Sequence, residues 1–204
     1  MRRYILLGYT LLVSASCTSL LGIEDTSSAE DCTRAFMAVT LGDGNFDAAD
    51  TWTSEPPGNS AICRTMDVGG FAADSGENAA CFGVTNSANQ TLFQSITLPQ
   101  GTTEVRVKGR RCFITTDPMT TNNDTFVMAL RNPSTRQAVA RLAELSNRDA
   151  DTVCVWADVE FAAVVDDPIT TVDFHMEGKL DDLEITTFFL DTLSIEAFAC
   201  VPEQ

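Results

Sequence analysis

The sequence predicts an all-β protein: a disulfide-bridged antiparallel β-sandwich of jelly-roll type, exported behind an N-terminal leader. Three observations carry this. Segment after segment alternates apolar and polar residues at period two, clusters of Pro, Gly, Asn and Asp interrupt those segments, and an even number of cysteines follows the leader.

Nine segments are rich in Val, Ile, Thr and Phe: 35–41, 79–85, 92–98, 103–115, 125–131, 138–145, 152–161, 170–177 and 186–197. In 103–110, Val105 and Val107 face one way and Glu104, Arg106, Lys108 and Arg110 the other. In 153–161, Val153, Val155, Ala157, Val159 and Phe161 make one face, opposite Cys154, Trp156, Asp158 and Glu160. In 172–177, Val172, Phe174 and Met176 alternate with Asp173, His175 and Glu177. Each pattern describes a strand with one buried and one wet face. Turn signals separate them at Pro56-Pro57-Gly58-Asn59, Asp74-Ser75-Gly76, Pro99-Gln100-Gly101, Thr120-Thr121-Asn122-Asn123-Asp124, Asn132-Pro133-Ser134 and Asp166-Asp167-Pro168. The 136–145 run has a composition that also suits a helix, and its place among the strands favours a strand.

The N-terminus reads as an address. Arg2 and Arg3 precede an apolar run of 12 residues, 4–15, too short to span a bilayer at about 20 residues and suited to a signal peptide over 1–16. Ser14, Ala15 and Ser16 lead into Cys17, which resembles a lipoprotein signal in which Cys17 carries the lipid; Ser14 stands where leucine is commonest. Ordinary cleavage after Ser16 is the alternative. Residues 17–31 make the lipidated cysteine and a flexible tether, and the Leu-Gly-Ile-Glu-Asp stretch resembles the start of myxobacterial surface lipoproteins. The domain occupies 32–204. The expected address is the cell envelope, as an outer-membrane lipoprotein facing outward or into the periplasm, with lipid as the only membrane contact.

The net charge of −16, from 13 basic and 29 acidic residues, becomes −18 without Arg2 and Arg3. Such a surface repels phosphate backbones and excludes nucleic acid as a partner. With Cys17 lipidated, six cysteines remain, which suggests three disulfides. The favoured pairing among the 15 possible joins Cys32 to Cys200, Cys63 to Cys81 and Cys112 to Cys154. These join the domain ends, the closest neighbours in sequence, and two strongly strand-like segments.

Four landmarks, in order, carry a family resemblance: Gly42-Asp43-Gly44-Asn45-Phe46-Asp47 followed by Trp52; Asp74-Ser75-Gly76-Glu77-Asn78-Ala79-Ala80-Cys81-Phe82-Gly83; Leu92-Phe93-Gln94-Ser95-Ile96-Thr97-Leu98-Pro99; and Thr187-Phe188-Phe189-Leu190-Asp191-Thr192-Leu193-Ser194-Ile195. Across residues 40–197 they resemble the galactose-binding-like jelly rolls that include many carbohydrate-binding modules. The resemblance implies a binding module, and a structural Ca²⁺ between the opening motif and the closing strand. Its ligands would be Asp47 and Asp191, with carbonyls from Asn45 and the Asp74–Ser75 loop, an oxygen set that suits a hard cation. The opening acid is Asp where the family has Glu, and the closing pair is Asp-Thr where it has Asp-Asp.

Pairing Cys112 with Cys154 places Arg106, Lys108 and Arg110 on the face that carries Trp156, Asp158 and Glu160. A tryptophan among charged hydrogen-bonding groups can stack a sugar ring and hold its hydroxyls. The competing reading is a solvated face whose charges pair across strands. Trp52 is expected in the core. No catalytic residue is assigned, because His175 is the only histidine and Gly-x-Ser-x-Gly is absent. The expected function is therefore a non-catalytic surface lipoprotein binding glycan or polysaccharide; the alternative is a structural or adhesive protein that binds another surface protein.

Overall fold

The computed structural model describes residues 32–84, 89–116, 123–166, 168–181 and 185–201. The leader, Cys17, the tether and part of the turns at 120–124 and 166–168 lie outside the described residues. Eleven strands follow in order among the described residues: β1 (Thr33–Val39), β2 (Thr53–Glu55), β3 (Ile62–Arg64), β4 (Asn78–Phe82), β5 (Asn89–Thr97), β6 (Glu104–Thr115), β7 (Thr125–Arg131), β8 (Ala138–Ser146), β9 (Ala157–Val164), β10 (Thr171–Lys179) and β11 (Thr186–Val201). They form two antiparallel sheets. One runs β3-β4-β11-β6-β9, with β1 also on β11; the other runs β2-β5-β10-β7-β8.

Between the sheets lies an apolar core. Phe188 stands edge-on to Phe113 at 5.0 Å and 5.7 Å from Phe126, while Phe46 stacks on Trp52 at 5.1 Å. Val105, Val107, Leu190 and Ile195 join them from the six-stranded sheet; Leu92, Met128, Phe174 and Met176 come from the other. Trp52 is buried as expected, and its indole N–H donates to the Asp43 carbonyl at 2.8 Å.

The longest strand changes sides midway. In β11, Phe188 and Leu190 point into this core while Phe189 points away. A register shift between Asp191 and Ser194, with Thr192 at φ 54°, inserts one residue. Beyond it Leu193, Ile195 and Ala197 face inward. Without the bulge, period two would turn these three residues outward. The opening loop docks on this bulge: Leu193 N–H donates to the Gly44 carbonyl at 2.9 Å. A Cβ at Gly44 would meet the Leu193 carbonyl oxygen at 2.0 Å, so the approach admits only glycine.

A second, small core covers part of the outer face of the six-stranded sheet. Cys81, Cys112 and Phe189 pack there with Cys63, Phe71, Cys154 and Trp156. The three disulfides join Cys32 to Cys200, Cys63 to Cys81 and Cys112 to Cys154. Such bridges form in an oxidising compartment, outside the reducing cytosol.

Two expectations need correction. The 152–161 segment becomes strand only at Ala157; Val153 and Val155 are exposed rather than part of a buried face, because Cys154 and Trp156 turn into the small core instead. Asp173 and His175 are buried rather than wet, because Phe93, Arg131 and Arg136 close over them. The 136–145 run forms a strand from Ala138 as expected, after a hairpin loop in which Arg136 has φ 61°.

Candidate functional site

The outer face of the six-stranded sheet gathers the charges expected there. Arg106 pairs with Glu104 at 2.9 Å and Glu160 at 3.1 Å, Lys108 with Glu196 at 2.7 Å, and Arg110 with Asp74 at 3.0 Å and Asp158 at 2.6 Å. The hydrogen bond to Asp158 raises Arg110 above its ordinary value despite some desolvation. Lys108, Arg110, Asp158 and Glu160 line an open groove of about 520 Å³ together with the hydroxyl-bearing Thr192 and Ser194. Trp156 stands beside these groups without opening onto them as a platform. Its N–H donates to the Ala72 carbonyl at 3.0 Å, and its ring meets Phe71 edge-on at 6.3 Å. This face is a ladder of cross-strand ion pairs whose members satisfy one another.

Next to the ladder, the opening loop, the 74–77 loop and the β11 bulge bring acids together. Asp191 is fully buried; its carboxylate accepts from Ser75 N–H at 2.8 Å and from Thr192 N–H at 2.6 Å. Burial raises its pKa to about 6, opposed by those backbone bonds and assisted by the Asp74 charge. Asp47 accepts from Glu77 N–H at 3.2 Å, and Gly76 (φ 63°) leaves the room that the Asp47 carboxylate occupies. Asp47 and Asp191 thus approach one loop. The Asp74 carboxylate is engaged by Arg110 and by the Thr192 hydroxyl at 3.1 Å, so only its carbonyl oxygen remains for a cation. Asn45 is tied by its N–H to Asp43 at 3.2 Å. Among the described residues, no group of three or more His, Cys, Asp or Glu side chains has metal-holding geometry. A cation here would rest on Asp191, which has no ion-pair partner among the described residues, on Asp47, and on backbone oxygens.

The outer face of the five-stranded sheet holds an arrangement that periodicity did not disclose. Register places Phe93 opposite His175, and His175 opposite Ala129. The Phe93 and His175 rings lie nearly parallel, 18° apart, with centroids 6.2 Å apart. The Arg136 guanidinium lies 4.9 Å from the Phe93 centroid, reaching Asp173 at 3.4 Å and Glu55 at 3.5 Å. Ser95 donates to Asp173 at 2.6 Å, and Arg131 pairs with Glu177 at 2.8 Å. The Ser95 proton is thus directed at Asp173, which separates this trio from a serine–histidine relay. His175 Nδ1 is buried without a hydrogen-bond partner among the described residues. Burial, reinforced by Arg131 and Arg136, lowers His175 to about 4, so the ring is neutral at pH 7. The sequence signal that could have located this face is Phe93, an aromatic at a polar position of its alternating strand.

No protein-family model matches the chain, and no curated protein matches it in sequence. Among solved structures the chain is similar to a family 61 carbohydrate-binding module in complex with β-1,4-galactotriose, at 14% identity over 76% of this chain and 95% of that one, with a TM-score of 0.49. It is also similar to a family 16 carbohydrate-binding module, at 14% identity over 74% and 95%, with a TM-score of 0.45. An arabinose-bound α-L-arabinofuranosidase matches at 12% identity and a TM-score of 0.54, over 78% of this chain and 26% of that one. The chain therefore spans about a quarter of that enzyme's length. At 12% identity the likeness to part of that enzyme shows the fold alone, a β-sandwich.

Proposed function

We propose that this is an exported, lipid-anchored, non-catalytic glycan-binding protein whose contact surface is the Phe93–His175 face of the five-stranded sheet. The observation that carries this is the pairing of an aromatic ring with His175 Nδ1, a buried polar atom with no hydrogen-bond partner among the described residues. Saccharide sites combine those two elements, a ring that stacks a pyranose and a fixed polar group that takes a hydroxyl. Phe93→Ala is expected to weaken binding to the best ligand of a glycan array by about tenfold. Lys108→Ala, on the opposite sheet, serves as the control. A second reading is favoured by the open groove that collects Lys108, Arg110, Asp158 and Glu160. If Lys108→Ala abolishes binding and Phe93→Ala does not, the groove is the glycan site. If no glycan binds, the adhesive, protein-binding reading takes its place.

The anchor rests on the leader and Cys17. Cys17→Ala is expected to move the protein from the membrane to the soluble fraction; an unchanged membrane pool ends that reading. Calcium rests on Asp191, buried and without an ion-pair partner among the described residues. An ion bound to the folded state alone adds about 2.7 kcal/mol at a hundredfold excess over its Kd. Chelation should therefore lower Tm, and Asp191→Asn should remove that response. Identical melting with Ca²⁺ and with chelator rules the site out.

A further inference from the structure

We infer that Arg136 occupies the seat of a cationic group, and that the Phe93 face takes amine-bearing sugars, whose ammonium displaces the Arg136 guanidinium. The inference rests on the glycan-binding reading of that face and adds the ligand's charge.

The seat has the parts of a cation site. The guanidinium lies over the Phe93 ring at 4.9 Å, between the carboxylates of Asp173 and Glu55. An aromatic face with flanking carboxylates attracts an ammonium as well as a guanidinium. Asp173 is 4% exposed, and without Arg136 its carboxylate would be left with the Ser95 hydroxyl at 2.6 Å. A ligand that merely pushed Arg136 aside would strand that charge; a cationic ligand replaces it. The net charge of −16 steers cations toward the protein.

The present occupant is held loosely. Arg136 sits at φ 61°, a left-handed conformation disfavoured for a residue with a Cβ. Its loop closes through Asn132, whose carbonyl accepts from Arg136 N–H at 2.8 Å and whose side chain accepts from Ser134 and Thr135 N–H. Glycine is the residue such a loop position favours. Here the position carries a side chain long enough to reach the ring across the sheet. That side chain is half exposed, and both of its ion pairs are long, at 3.4 and 3.5 Å. Moving it would uncover the Phe93 ring for stacking.

The test compares a β-1,4-linked glucosamine hexasaccharide with its fully N-acetylated counterpart, by calorimetry on the folded domain. The amine form is expected to bind at least about tenfold more tightly. Arg136→Gly, which suits φ 61°, should tighten the amine form by about tenfold, because the internal competitor is gone. Glu55→Gln should weaken it, while Glu160→Gln on the other sheet should not. Equal affinity for the two saccharides, or no gain with Arg136→Gly, overturns the inference. An equal loss with Glu160→Gln overturns it too, as diffuse attraction to an acidic protein. If Phe93→Ala alters the binding of neither saccharide, the glycan-binding face itself fails. If Phe93→Ala weakens both forms equally, that face stands and only the charge preference falls.

Discussion

Removing the Cys32–Cys200 bridge, as Cys32→Ser with Cys200→Ser, is expected to destabilise the domain by about 5 kcal/mol. Its partners are 168 residues apart, and in the chain-entropy account the effect of a crosslink grows with the logarithm of the loop it closes. The Cys63–Cys81 bridge closes a separation of only 18, for which the same account gives about 3 kcal/mol. The difference of about 2 kcal/mol between the two double variants is the sharper quantity, because native-state changes common to both cancel. Denaturant unfolding of both variants measures it. A short-loop variant as damaged as the long-loop one would show that the bridges act through local packing instead. The small core around Cys63, Cys81, Phe71 and Phe189 is where that packing would reside.

The second large effect is a pH dependence. His175 titrates near 4 in the folded protein against 6.5 when unperturbed, so the unfolded chain binds its proton more tightly. The neutral ring's contribution to stability is therefore fully present above pH 6.5 and is lost as pH falls toward 4. The shift corresponds to roughly 3 kcal/mol at its limit. Arg131 and Arg136 work in the same direction as burial, while Glu177 and Asp173 oppose them. Because His175 is the only histidine, its ring resonances in a proton NMR titration need no assignment by mutation. A midpoint near 4 is expected; a midpoint at 6 or above would mean that the face is open to water. Stability curves of the protein and of His175→Gln should diverge below pH 6.5, with the unsubstituted protein losing more.

Much of the sandwich was legible because period two is a local signal. Val105 and Val107 against Arg106 and Lys108, or Phe126 and Met128 along β7, declare their faces without knowledge of the neighbours. The ladder of charges followed from the same rule once Cys112 and Cys154 were paired. Alternation fails where a strand's outer face is covered by something distant. Asp173 and His175 read as wet because nothing near them in sequence shows that Arg136 reaches over from another hairpin. The β11 bulge is equally hidden: Leu193 and Ile195 stand out of phase with Phe188 and Leu190, and the loop at Gly44 that meets the extra residue lies about 150 positions earlier. Trp156 was misjudged for a related reason. Its polar neighbours in sequence pointed outward, but Phe71 and Ala72, far away in the chain, take its ring edge and its N–H. The two short strands β2 and β3, three residues each, are too brief to show a period.

The placement of the Cys32–Cys200 bridge has a mechanical consequence. Strand β1 pairs with β11 from Thr33 opposite Val201 to Val39 opposite Ile195, and the bridge lies at the end of that ladder nearest the N-terminus. A tug on the chain ahead of Cys32 would otherwise peel β1 away one hydrogen bond at a time, the weakest way to load a ladder. With the bridge in place the load passes through a covalent bond into the longest strand, which is held by β1, β4 and β6. Unravelling the domain by a pull on that segment then requires shearing a central strand out of its sheet, or reducing a single bond.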